Sequence, residues 1–167
     1  MSIEAELKTL VEADDGVGGA ATLLTGGIYT REELGKAGFK SANPACSAAF
    51  QNVGTKKILL PSVVIKVRSQ TPTYQRIDVP SMAVSVRGVV EFWFYDEDDY
   101  TVIRQAANRV YGDPDDENAP KLMYGSIPNV GFMKWINRID NMRDEKLFDA
   151  ALLRDDYSIK FIQKGGL

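Results

Sequence analysis

The sequence predicts an α+β fold: a single domain spanning residues 1–167, with a mainly antiparallel β-sheet flanked by helices and with long projecting loops. Three observations predict it. Between Ser81 and Asp96, Val84, Val86, Val90, Phe92 and Phe94 share one parity while Ser85, Arg87 and Glu91 share the other, which is the alternation of a strand with one buried face. Beyond it the period changes, because Tyr100, Ile103, Ala107 and Val110 recur at helical spacings while Arg104, Gln105, Asn108 and Arg109 point elsewhere. Further alternating stretches lie on both sides of this unit, so strands come in adjacent pairs around one central helix, an order that favours an antiparallel sheet.

The strand-to-helix junction carries its own punctuation. Asp96 reads as the N-cap, and Glu97, Asp98 and Asp99 place negative charge on the positive end of the helix dipole. Arg109 in the last turn, a Gly112 suited to a C-terminal cap, and Pro114 mark the exit. These signals predict a helix of about 14 residues.

Earlier in the chain, Ser2 is a candidate cap for a short helix with Ile3, Leu7, Leu10 and Val11 on one stripe, ending near Asp14. Gly16 to Ala21 matches the GxGxxA form of a dinucleotide fingerprint. That motif must follow a strand, whereas this one follows a helix, so it reads as a turn leading into a helical turn at Ala20 to Leu24. Thr30 to Thr55 has weak periodicity and is expected to be a projecting arm or loop. Lys57 to Ser69 regains strand character, with Val63, Ile65 and Val67 on one face and Pro61 outside the ladder. Gln70 to Pro80 reads as an extended loop.

After the central helix, Asp113, Asp115 and Glu117 alternate, but Asn118 and Tyr124 stand where a calcium loop needs Gly and Glu, so a solvated acidic loop is expected. Val130 to Ile139 reads as a strand with surface on both sides. Leu147 to Leu153 is ambiguous between helix and strand, and Tyr157, Ile159 and Phe161 alternate on a final strand.

Composition narrows the function. Hydrophobic residues at 44% and charged residues at 26% are typical of globular chains, so wholesale disorder is not expected. A net charge of −3 with no long basic run argues against a nucleic-acid binder. The one cysteine, Cys46, cannot form an internal disulfide, and no Cys/His spacing suits zinc. With no signal-peptide pattern and no membrane-length apolar run, the expectation is a soluble protein made in the cytoplasm.

The sequence carries no catalytic signature. The chain has no histidine, which excludes Ser-His and Cys-His pairs. It has no Walker A or GxSxG motif. Acidic pairs at Asp14/Asp15, Asp98/Asp99, Asp115/Asp116 and Asp155/Asp156 are each expected in a cap, turn or solvated loop; a carboxylate-dependent hydrolase built on some of them is the rival reading. No catalytic residue, metal site or cofactor is assigned. Trp93 and Tyr95 lie on the face opposite Phe92 and Phe94, covered either by helices on both faces of the sheet or by another copy of the chain. Phe92 is expected in the core, and Glu91 on a face that tolerates substitution.

The order of signals resembles the tail terminator, or tail-completion, proteins of long-tailed bacteriophages. The residues that carry the resemblance are the Gly27-Ile28-Tyr29 turn, the VVEFWFYDEDDYTVIRQAANRVY unit and the RIDNMRDEKLFDAALLRDDYSIKFI ending. It implies a non-enzymatic virion protein forming a hexameric ring that stops growth of the tail tube and meets the head, with the tail-tube protein and the head-tail connector or neck proteins as partners. A head-to-tail adaptor or head-closure protein is the alternative. On this reading Thr30 to Thr55 and Gln70 to Pro80 make contacts with neighbouring subunits or the tube. Leu34, Phe39, Phe50, Tyr74 and Ile77 supply apolar contacts, and Arg31 and Arg76 the polar anchors.

Overall fold

The computed structural model describes residues 2–35, 60–73, 83–112, 130–144 and 150–164. In chain order the elements are α1 (Ile3–Glu12), α2 (Ala20–Leu23), β1 (Gly27–Thr30), α3 (Arg31–Gly35), β2 (Ser62–Thr73), β3 (Ala83–Asp96), α4 (Thr101–Tyr111), β4 (Val130–Asp144) and β5 (Ala150–Lys164). The strands form one sheet in the order β1-β2-β3-β5-β4. Only β1 and β2 run parallel; β2/β3, β3/β5 and β5/β4 are antiparallel. The fold is the α+β domain expected from the sequence.

Strand β3 is the spine. Its alternation sends Val90, Phe92 and Phe94 into the main core, beside Val63 and Ile65 of β2 and Leu153, Tyr157 and Ile159 of β5. Phe92 stacks on Phe94 at 6.3 Å between ring centroids and meets Tyr157 edge-on at 5.3 Å. The helices close this face: Ile3, Leu7 and Val11 from α1, Ala20 from α2, and Ile103, Ala106, Ala107 and Val110 from α4. Strands β3 and β4 both run antiparallel to β5, which lies between them, and α4 makes the crossover on the core side.

Ion pairs fasten the helices to the sheet and to one another. Asp14, in the turn after α1, accepts the Ala20 N–H at the start of α2 at 2.7 Å. The same carboxylate takes a two-pronged bond from Arg109 of α4 at 2.7 and 2.9 Å. Gly19 fits here because it has no side chain: a Cβ would lie 2.2 Å from the Asp14 carbonyl oxygen. On the far side of α4, Arg138 of β4 donates to both oxygens of the fully buried Asp155 at 2.7 and 2.8 Å, and to Asn108 at 2.6 Å. Burial lifts the Asp155 carboxyl above its usual range, and the guanidinium works against that lift. Arg104 binds Asp140 at 2.7 Å, and the Tyr100 hydroxyl donates to the Met142 carbonyl, so the edge strand β4 is tied to α4 along its length.

Several expectations require correction. Asp96 is the last residue of β3, not the helix cap, because it still pairs opposite Ala151. Tyr100 occupies the N-cap position without a side-chain cap bond, Asp99 just before it accepts the Thr101 N–H at 2.8 Å, and α4 is 11 residues long. Within the expected Thr30 to Thr55 loop, Thr30-Arg31-Glu32-Glu33 forms a capping box: Thr30 N–H donates to Glu33 at 2.8 Å and Glu33 N–H returns to the Thr30 hydroxyl at 3.1 Å. Residues 36–55 lie outside the described residues. Of the expected Gln70 to Pro80 loop, residues 70–73 belong to β2 and pair with β3; residues 74–80 lie outside the described residues, as does the acidic stretch 113–118. Residues 150–153, ambiguous in sequence, are strand, since Ala151, Leu152 and Leu153 are buried on both faces and so do not alternate.

Two stability measurements test this packing. Phe92→Ala is expected to cost about 3–5 kcal/mol in urea unfolding, since it opens a cavity in the main core. Asp14→Asn tests the helix clamp through pH. The Arg109 hydrogen bond, with the Ala20 N–H, holds the Asp14 carboxyl below its usual value despite partial burial. Its contribution, about 1–3 kcal/mol, is therefore complete above the unfolded carboxyl value of about 3.9 and disappears as pH falls through the lower folded value. The deficit of Asp14→Asn should be present at neutral pH and vanish in acid.

Candidate interaction face

The second face of the sheet has a different chemistry. The parity that sends Phe92 to the core sends Glu91, Trp93 and Tyr95 the other way, opposite Asp156, Arg154 and Leu152 of β5 and Lys66, Val64 and Ser62 of β2. Helices α1, α2 and α4 all pack on the core side, so they do not cover it. Towards the C-terminal end of β3 this face is apolar: Tyr29, Val64, Tyr95, Ala150 and Leu152 form a second buried cluster, with Leu60, Trp93 and Met142 against it.

Next to that cluster lies a network of charge around one indole. Glu91 is only 1% exposed. Its carboxylate accepts the Trp93 Nε1–H at 2.8 Å, meets Arg68 at 3.0 Å and lies 3.8 Å from Lys66. The Trp93 ring is flanked by two cations, Lys66 Nζ at 5.5 Å and the Arg154 guanidinium at 5.4 Å from its centroid, which suits the negative π face. Arg154 in turn pairs with the buried Asp156, Nη2 donating to Oδ2 at 3.1 Å while Nε and Oδ1 approach to 3.0 Å without hydrogen-bond alignment.

This corrects the reading of Glu91 as a tolerant position. Alternation identifies a polar residue on the non-core face, but not that cross-strand cations and an indole bury it. Asp155 and Asp156 are likewise not in a solvated turn; they occupy the middle of β5 and are buried on opposite faces of the sheet. Glu91 has both oxygens engaged, by Arg68 and by the Trp93 N–H with Lys66 nearby, and Asp156 Oδ2 accepts from Arg154. The arrangement holds a rigid, charged surface in place. Among the described residues no three metal-ligating side chains converge.

The residues expected at partner contacts fare unevenly. Arg31 is exposed in the first turn of α3, whose Glu33 is bound by Lys8 of α1 at 2.6 Å. Leu34 belongs to the same helix. Phe39, Phe50, Tyr74, Arg76 and Ile77 lie outside the described residues. What sequence reasoning missed is the basic character of the second face: Lys66, Arg87, Arg154 and Lys160 share its parity, and Arg68 stands at the register shift beside it. The signal was available as cations alternating with apolar residues on separate strands, but strand pairing is needed to assemble them.

Comparison with the known protein families and with the curated proteins gives no match. Among the described residues no helix is long and apolar enough to cross a membrane.

Glu91→Ala leaves Arg68, Lys66 and the Trp93 N–H without their shared acceptor. It should cost about 1–3 kcal/mol in urea unfolding, less than a fully buried pair because both cations retain access to water. The same variant should shift the Trp93 fluorescence, which Asp156→Asn should alter less.

Proposed function

We propose that this protein is a structural subunit of a bacteriophage neck or tail, of the tail-terminator kind: a virion protein, without catalytic activity, that assembles as a hexameric ring, ends the tail tube and presents a surface to the head-side neck proteins. The observation that carries this reading is that, among the described residues, helices α1, α2 and α4 all pack on one face of the sheet. The helices consolidate one face into a core, and the other face carries a locked network of charge around Trp93, with exposed cations beyond it. A ring subunit requires a rigid sheet with faces and edges that meet neighbours, and no reactive site. The 15-residue edge strand β4 also fits, because its three register shifts against β5 and the exposed Lys134 guard it against indiscriminate strand pairing in the free subunit.

The resemblance of the Gly27-Ile28-Tyr29 turn and of the β3-to-α4 unit to tail terminators supplies the specific role; the structure supplies a scaffold compatible with it. Phage particles assembled without the protein test the reading by electron microscopy. Tubes of unregulated length and heads lacking joined tails are expected, with complementation by the intact chain restoring both. Normal tails of fixed length joined to heads in its absence would refute the assignment.

A further inference from the structure

Charge is distributed unevenly along the strand axis. Near the N-terminal end of β3, Arg87 lies directly opposite Lys160 of β5, and Lys134 of β4 lies opposite Ser158, two residues before Lys160 on the same face of β5. Arg68 of β2, 49% exposed although its guanidinium also meets Glu91 at 3.0 Å, flanks them. Arg87, Lys134 and Lys160 are exposed, and among the described residues no carboxylate pairs with them. Across four neighbouring strands this makes a basic row about 14 Å wide. Like charges directly across a strand pair weaken the sheet, so the Arg87/Lys160 juxtaposition does nothing for the fold.

The other end of the same strand is acidic. Asp96, Glu97, Asp98 and Asp99 run consecutively through the β3–α4 junction, and the last three are exposed. Asp98 meets Arg143 at 2.9 Å in a largely solvated pair, and Asp99 accepts the Thr101 N–H and feels the charge of Arg104. The crowding is felt locally: burial lifts the Asp96 carboxyl and the neighbouring acids add to the lift. Nine residues of strand separate Arg87 from Asp96, about 30 Å. One chain therefore carries complementary charges at opposite ends of one rigid element.

We propose that the basic row of Arg87, Lys160, Lys134 and Arg68 docks against the acidic β3–α4 junction, Glu97 to Asp99, of a second copy of this chain. The contact is heterologous, head to tail, and such contacts close into rings when the rotation between copies permits. The proposal rests on the ring-subunit reading for its biological setting and adds which surfaces meet. A nucleic-acid backbone would also be attracted to the basic row, but the chain's net charge of −3 opposes that partner, whereas the matched acidic end favours a second copy.

Charge reversal on the intact, purified protein tests it, with mass followed by sedimentation at low and high salt. Arg87→Glu with Lys160→Glu, and separately Glu97→Lys with Asp98→Lys, should each weaken self-association by about tenfold or more; circular dichroism checks that both variants stay folded. Salt should weaken the parent's association in the same direction. Mixing the two variants should restore association, since each then meets an end of opposite sign. Self-association indifferent to both reversals, no recovery on mixing, or a parent that is monomeric at every salt concentration would each overturn the proposal. It would also be overturned if the basic reversal abolished binding of a random-sequence DNA duplex while leaving self-association unchanged. The role in the phage neck is judged separately by particles lacking the protein, so either idea can fail alone.

Discussion

The rest of the structure depends on the pairing of β3 between β2 and β5. Of the five strands, β3 lies at the centre, and its two side-chain faces answer two different demands. Through Val90, Phe92 and Phe94 it supplies the floor on which α1, α2 and α4 rest, and burial of those apolar side chains is the main stabilising term. Through Glu91 and Trp93 it holds a network in which Glu91 meets two cations of β2, while Arg154 and Asp156 pair along β5 beside the indole. A slip of one residue in its register would exchange the two faces, putting Glu91 into the apolar core and Phe92 among the cations. Register is therefore specified from both sides at once.

The charged contacts around the core act less as sources of stability than as guides to geometry. Breaking a buried pair is costly, yet forming one roughly offsets its own desolvation. Asp155 illustrates this: it is buried at the centre of the sheet, and the two-pronged Arg138, which also reaches Asn108, fixes how the edge strand β4 meets α4. Asp14 does the same for α2 and α4. These contacts hold the helices on one side of the sheet, which leaves the basic end of the second face available. The proposed assembly role follows from that one-sidedness more than from any single residue.

Strand β3 and helix α4 were legible in the sequence because their apolar periods are long and change cleanly near Tyr100. Strand β1 was not: Gly27-Ile28-Tyr29-Thr30 is too short to show a period, and only its parallel partner in β2 makes it a strand. The capping box at Thr30 to Glu33 was present in the letters, but the small residues that follow it hid a helix of 5 residues. Whether Asp96 caps α4 is settled by how far β3 pairs with β5, a long-range fact. The same limit applies to the candidate site. Arg87 and Lys160 are 73 positions apart in sequence, and only the register of β3 against β5 makes them neighbours. Of the residues expected at contacts, Arg31 and Leu34 were placed on a helix rather than a loop.

If β3 is the spine, its amides and those of β5 are bonded on both sides, whereas among the described residues β4 pairs on one side. Native-state hydrogen exchange resolves these strands directly. The account predicts that β3 and β5 amides between residues 89–94 and 153–159 exchange slowest in the chain, only through global unfolding, while β4 opens at lower free energy. Exchange in β3 as fast as in β4, or β4 amides that outlast those of β3, would contradict it.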